Sequence, residues 1–119
     1  MHELGLLQGV VAAVETQAQS LGATRVSSVT LRVGTRSGAV PEALMGAWGV
    51  AIGHTILADA ELKLEVVEAA VWCPACQAEQ IIDEFYAWTC PVCSTPTAAL
   101  VRGREFEVTS AEVYVPADD

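Results

Sequence analysis

The chain has 119 residues, of which 6 are basic and 15 acidic, and 52% are apolar against 18% charged; that is enough for one domain, or a domain carrying a smaller one, with a real core. A net charge of −9 with its few Lys and Arg residues scattered has the wrong sign for gripping phosphates, so nucleic acid is excluded as the expected partner. No apolar run reaches the roughly 18 to 20 residues a bilayer crossing needs, and His2 and Glu3 stand where a secretory signal would carry basic residues, so the expected location is the cytoplasm, away from membranes.

Leu4, Leu7, Val11, Val14, Ala18 and Leu21 recur at spacings of three and four, which lays one apolar stripe along a helix that Gly22 stops. This helix begins within a few residues of Met1 and therefore holds the chain start against the fold. Residues 26–33 alternate, with Val29, Leu31 and Val33 on one face and Ser28, Thr30 and Arg32 on the other, the pattern of a half-buried strand. A turn over residues 34–38 leads to Pro41, suited to the first turn of a second helix. Leu44, Trp48 and Ile52 form its core stripe. Gly46, Gly49 and Gly53 form a small-residue face, whose expected use is close packing against another element. His54 near the helix end reads as a capping residue, with an extra metal ligand as the alternative, and Glu42 reads as a helix-start carboxylate. A second strand over residues 61–67 turns Leu62, Leu64 and Val66 inward.

The character changes at Val71-Trp72-Cys73, and the stretch from Cys73 on holds all four cysteines. After Arg104 alternation returns with Phe106 and Val108, then slips phase to Ala111, Val113 and Val115, as a bulge would cause. The closing segment is expected to rejoin the first sheet, which makes the cysteine module an insertion. The predicted fold is α+β: a small sheet of about three strands with two helices, formed by residues 1–70 and 105–119, and a four-cysteine ribbon over residues 71–104.

Cys73-Pro-Ala-Cys76 and Cys90-Pro-Val-Cys93 are two C-x-x-C pairs separated by 13 residues, spacing that lets two knuckles place four thiolates around one ion. Structural zinc is the expected occupant, since a borderline-soft ion without redox chemistry suits four sulfurs. Iron fits the same donors; two disulfides fit poorly in a chain with no secretory signal. A closed four-sulfur site leaves no open position for catalysis.

At the other end, His2 can close a chelate ring through its imidazole and its own backbone nitrogen, beside the α-amine of Met1. The planar nitrogen set that results suits nickel(II) or copper(II) better than tetrahedral zinc. Glu3 can add its backbone nitrogen or its carboxylate.

Taken together, Met1-His2-Glu3-Leu4 opening into a helix, Leu31-Arg32-Val33-Gly34 with Ser37-Gly38-Ala39-Val40-Pro41-Glu42, the paired cysteine knuckles, and a closing strand with Ser110-Ala111-Glu112-Val113 resemble the HypA/HybF hydrogenase nickel-incorporation proteins over essentially the whole chain. The resemblance implies a nickel metallochaperone, not an enzyme, with nickel as cargo at Met1, His2 and Glu3 and zinc at Cys73, Cys76, Cys90 and Cys93. It further implies a GTPase partner, the [NiFe]-hydrogenase large subunit as recipient, service to urease in some bacteria, and a monomer or homodimer. Where some members of that family place an acidic side chain before the second helix, this chain has Val40 and Pro41. A zinc-ribbon adaptor that docks protein and has no nickel function is the alternative reading. No nucleophile elbow, phosphate loop or H-E-x-x-H is present to support an enzyme.

Overall fold

The computed structural model describes residues 2–82, 89–97 and 100–117. The first helix, α1, runs Glu3–Ser20 and buries Leu7, Val11, Val14 and Ala18. It ends one residue short of the predicted stripe: Gly22 takes φ +83, its N–H donates to Gln19 O, and the Ala23 N–H donates to Ala18 O. This paired closure turns the chain away, so Leu21 is left exposed and is not part of the core.

Strand β1, Arg25–Gly34, is followed by α2, Pro41–Ile52, and β2, Glu61–Val67. β1 pairs with β2 in parallel, the arrangement a helical crossover permits. Strands β3, Ala70–Cys73, β4, Ala78–Ile81, and β5, Leu100–Arg102, make a second sheet in the order β4-β3-β5. β6, Phe106–Tyr114, then returns to pair antiparallel with β1 and completes the first sheet, order β2-β1-β6. The two helices, the three-stranded sheet and the cysteine module met between β2 and β6 are those expected from the sequence. The phase slip in β6 is a bulge, since Leu31 pairs with Val108 and Thr30 with Ser110, leaving Thr109 over.

The core joins α1, α2 and the inner face of β1 and β2, with Leu7, Val26, Val29, Leu31, Val33, Leu44 and Leu57 wholly buried. Trp48 lies in it and donates its indole N–H to Ala60 O at 2.8 Å. Three sequence expectations are corrected. A Cβ at Gly46 or Gly49 would meet nothing within 4 Å, so these glycines face open space and support no close packing. Val66 is 51% exposed, whereas Leu62 on the same face of β2 is buried. In β6, Val108 and Val113 are also exposed, as is Val115 just beyond it, and Phe106 is the β6 residue that packs against the core. The reason is that α1 does not close on β6: a groove of about 350 Å³ lies between them, lined by Val14, Leu21, Val108 and Val113.

Beside this core the described residues of the second sheet bury few side chains of their own. Ala69, Val71 and Ile82 are its buried cluster, with Leu100 packed against them. So small an apolar set needs a staple to hold three short strands.

Candidate metal centre

β3 delivers Cys73 at its end, and the chain turns through Cys76 into β4; the second pair turns between Thr89 and Pro96, which bridge each other. Each knuckle turns an amide onto the sulfur of its first cysteine, from three residues on in the first and two residues on in the second. The Cys76 N–H donates to Cys73 Sγ at 3.3 Å, and the Val92 N–H donates to Cys90 Sγ at 3.4 Å. The residue after each second cysteine, Gln77 (φ 52) and Ser94 (φ 63), takes the left-handed conformation that turns the chain back.

The four Sγ atoms all lie within 4.8 Å of one another. Cys73 Sγ is 3.5 Å from Cys93 Sγ, Cys76 Sγ is 3.6 Å from Cys93 Sγ, and Cys76 Sγ is 3.9 Å from Cys90 Sγ. An ion held tetrahedrally at about 2.3 Å from four sulfurs sets sulfur–sulfur edges of about 3.8 Å, so the donors fit a metal. Cys73 and Cys90 are buried while Cys76 and Cys93 are exposed, which gives the cluster an inner and an outer edge. As free thiols the four compete for protons. The Thr95 hydroxyl and amide beside Cys93 pull its thiol down to about 6, whereas neighbouring Cys93 and Cys73 push Cys76 up to about 12. A divalent ion relieves that competition, because each thiolate then faces positive charge.

At the chain start, Met1 lies outside the described residues. His2 sits at the N-cap of α1 with no side-chain capping bond, and is exposed. Its carbonyl accepts the Leu6 N–H at 3.1 Å, closing the first helical turn. Glu3 behaves differently: it is only 4% exposed, and its carboxylate accepts the Val40 N–H at 3.2 Å. The chain's α-amine, the Val40 amide and its own backbone N–H hold the Glu3 carboxyl at about 2. Val40 is the N-cap of α2 and its side chain makes no capping bond; the Glu3 carboxylate takes the amide at this position instead.

The remaining sequence candidates stand apart. Glu42 is exposed on the first turn of α2. His54 is exposed with φ 64 just beyond the end of α2, the position a capping residue takes. Among the described residues, the four cysteines are the one group of three or more His, Cys, Asp or Glu side chains close enough to hold an ion. Two contributors escaped the sequence reading. The partner of Glu3 is a backbone amide and leaves no mark in residue identity. Thr95 sits two residues beyond Cys93, where a hydroxyl reads as ordinary turn chemistry. Gln77 and Ser94 did carry a signal, occupying the same place after each C-x-x-C.

Over residues 1–113 the chain matches the family model described as hydrogenase/urease nickel incorporation, metallochaperone, HypA. It is 38% identical over 112 residues to the hydrogenase maturation factor HypA of Chloroflexus aurantiacus, covering 94% of this chain and 98% of that protein. To the HypA of a Picosynechococcus species it is 33% identical, covering 95% and 99%. The solution structure of the Ni metallochaperone HypA from Helicobacter pylori has the same fold, with a TM-score of 0.67 at 20% identity over 98% of this chain and 100% of that one. The chain belongs to the HypA family of hydrogenase maturation factors.

Proposed function

We propose that this chain carries nickel(II) at its N-terminus and, with a nickel-handling GTPase, delivers it to the large subunit of a [NiFe]-hydrogenase in the cytoplasm. Nickel is cargo here, and no catalytic step is assigned to the chain. Residues 1–70 with 105–119 form the nickel lobe, and residues 71–104 the zinc lobe. Zinc at Cys73, Cys76, Cys90 and Cys93 is the resident metal, four tetrahedral sulfurs being the donor set that suits it.

The observation that carries the nickel reading is the contrast between His2 and Glu3. Adjacent residues at the start of one helix are treated oppositely: His2 is exposed and unused in capping, while the Glu3 carboxylate is buried and engaged with the Val40 amide. The Met1 amine, the His2 amide nitrogen and the His2 imidazole then close two fused chelate rings around a planar nickel, and the fourth position, opposite the His2 amide, is open to an outside donor. The Glu3 carboxylate holds this terminus in place. A shallow terminal site suits a carrier, because ligands can leave one at a time and protons compete with nickel for amine and imidazole.

The test is restoration of hydrogenase maturation. In a bacterium deprived of its own relative of this chain, the untagged protein restores nickel to the large subunit and His2→Ala does not. Restoration by His2→Ala to the same nickel content would refute delivery through the N-terminus.

A further inference from the structure

The four sulfurs of the metal centre are not equivalent. Cys73 and Cys90 are 0% and 1% exposed, and each accepts an amide, from Cys76 at 3.3 Å and from Val92 at 3.4 Å. Cys73 is further held as the last residue of β3. Cys90 is held by two backbone bonds of 2.8 Å, its N–H donating to Thr95 O and its carbonyl accepting the Ser94 N–H. Cys76 and Cys93, by contrast, are exposed and lie on turns, so an oxidant dissolved in water meets their sulfurs first.

The exposed sulfurs are also a close pair. Cys76 Sγ and Cys93 Sγ are 3.6 Å apart, one from each knuckle and 17 positions apart in the chain. A disulfide measures about 2.05 Å, so the two sulfurs must close by about 1.5 Å. Side chains on exposed turns can make that movement without shifting β3. Cys93 Sγ also lies 3.5 Å from Cys73 Sγ, but that partner is buried and fixed at the end of a strand.

We propose that Cys76 and Cys93 are an oxidative modification site, at which hydrogen peroxide links the two knuckles by a disulfide and dismantles the metal centre. One outer thiolate attacks a peroxide oxygen, the O–O bond breaks, and a sulfenic acid and a hydroxide form. The other outer thiolate attacks that sulfur and expels a second hydroxide. Two electrons thus pass from the sulfur pair to the peroxide, and two protons from solvent turn the hydroxides into water. Cys73 and Cys90 are left as half of the donor set that holds a tetrahedral ion. The new bond closes the loop between positions 76 and 93, so the two knuckles stay tethered when the ion is gone. A dithiol reductant returns both thiolates, and with them the site. The loss of metal rests on the zinc reading of these cysteines; the choice of sulfur pair does not.

The test treats the zinc-loaded, full-length chain, freed of reductant, with hydrogen peroxide, alkylates the remaining thiols and cuts the chain after glutamate. Peptide 69–79 carries Cys73 and Cys76, and peptide 85–105 carries Cys90 and Cys93. Mass spectrometry should find these two peptides joined in the first product, with the alkyl label on Cys73 and Cys90, and zinc passing to a chromogenic chelator in step with the bond. A first bond within one knuckle, a label on Cys76 or Cys93, or zinc released with all four cysteines labelled overturns the proposal. Cys93→His keeps a zinc donor and removes an outer sulfur, so peroxide should release zinc about tenfold more slowly or less, whereas Cys73→His, which removes an inner sulfur, should release it at the wild-type rate. Equal slowing in the two variants also overturns the proposal. Where either variant fails to hold zinc, the bond mapped in the wild-type chain decides. A chain that takes up no zinc refutes the zinc reading, and the same mapping still decides the pair.

Discussion

Cys73 Sγ and Cys93 Sγ lie 3.5 Å apart although the two residues are 20 positions apart in the chain. One is buried at the end of β3 and the other exposed on the second knuckle, so a metal between them staples the inner edge of the second sheet to its outer turn. Among the described residues, the apolar cluster of that sheet is Ala69, Val71 and Ile82 with Leu100, whereas the first sheet has a core shared with both helices. Chelating the metal, or replacing Cys90 by Ser, is therefore expected to unfold residues 70–102 while the α1–α2 layer persists. Metal content by mass spectrometry and amide dispersion by NMR check this. Helical signal lost in step with the metal would show that the two parts do not fold separately.

Gln77 and Ser94 hold positive φ with side chains that the conformation disfavours. Gly at either position relieves that strain at the expense of a more flexible unfolded chain, so Gln77→Gly and Ser94→Gly should each stabilise the metal-bound form by about 0.5 to 1 kcal/mol. Competition against a chelator reports the gain; weaker metal retention in both variants would mean that Gln77 and Ser94 contribute contacts that outweigh the strain.

The glycines separate into two kinds with opposite signs. Gly46 and Gly49 are helical and have nothing near a would-be Cβ, so alanine at each should stabilise the fold by about 0.5 to 1 kcal/mol through helix propensity alone. Gly34 and Gly103 face backbone and Ala69 at the junction of the two sheets, and alanine there should destabilise by about 2 to 3 kcal/mol. Thermal melts of the four single variants give the order directly. Equal melting temperatures for Gly46→Ala and Gly103→Ala would contradict the close approach at the junction.

Glu3 sets a pH window. Its carboxyl is lowered from 4.5 to about 2 in the folded chain, a depressed folded value, so its contribution is fully present above about 4.5 and is lost as the pH falls through about 2. The Glu3 carboxyl carbon, followed by NMR, should titrate with a midpoint near 2 and show no inflection near 4.5. A midpoint at the ordinary value would mean that the contacts of the Glu3 carboxylate with the α-amine and the Val40 amide are not maintained in solution.

Much of this was legible because periodicity and spacing are local. The Leu7-Val11-Val14-Ala18 stripe marked α1, and the slip between Val108 and Ala111 marked a bulge that the pairing with β1 places at Thr109. Two C-x-x-C pairs marked the metal cluster. What was not legible depends on coverage and backbone. Alternation in β6 predicts an inward face, but only a helix lying over that strand would bury it, and α1 leaves a groove there instead. The glycines of α2 looked like a packing face because propensity shows only that something offsets their cost, and no such contact is present. The partner of the Glu3 carboxylate is a main-chain amide, and every residue but proline offers one of those.

The central claim is that nickel is held by the free amine of Met1 together with His2. Calorimetric titration of the untagged, zinc-loaded chain with nickel(II), beside a form carrying one extra residue before Met1, addresses it most directly, since the extension keeps every side chain and moves only the amine. The account predicts about one nickel per untagged chain with the absorption band of a planar nitrogen site, and affinity reduced by about 100-fold or more in the extended form. Equal affinity in the two forms would contradict it.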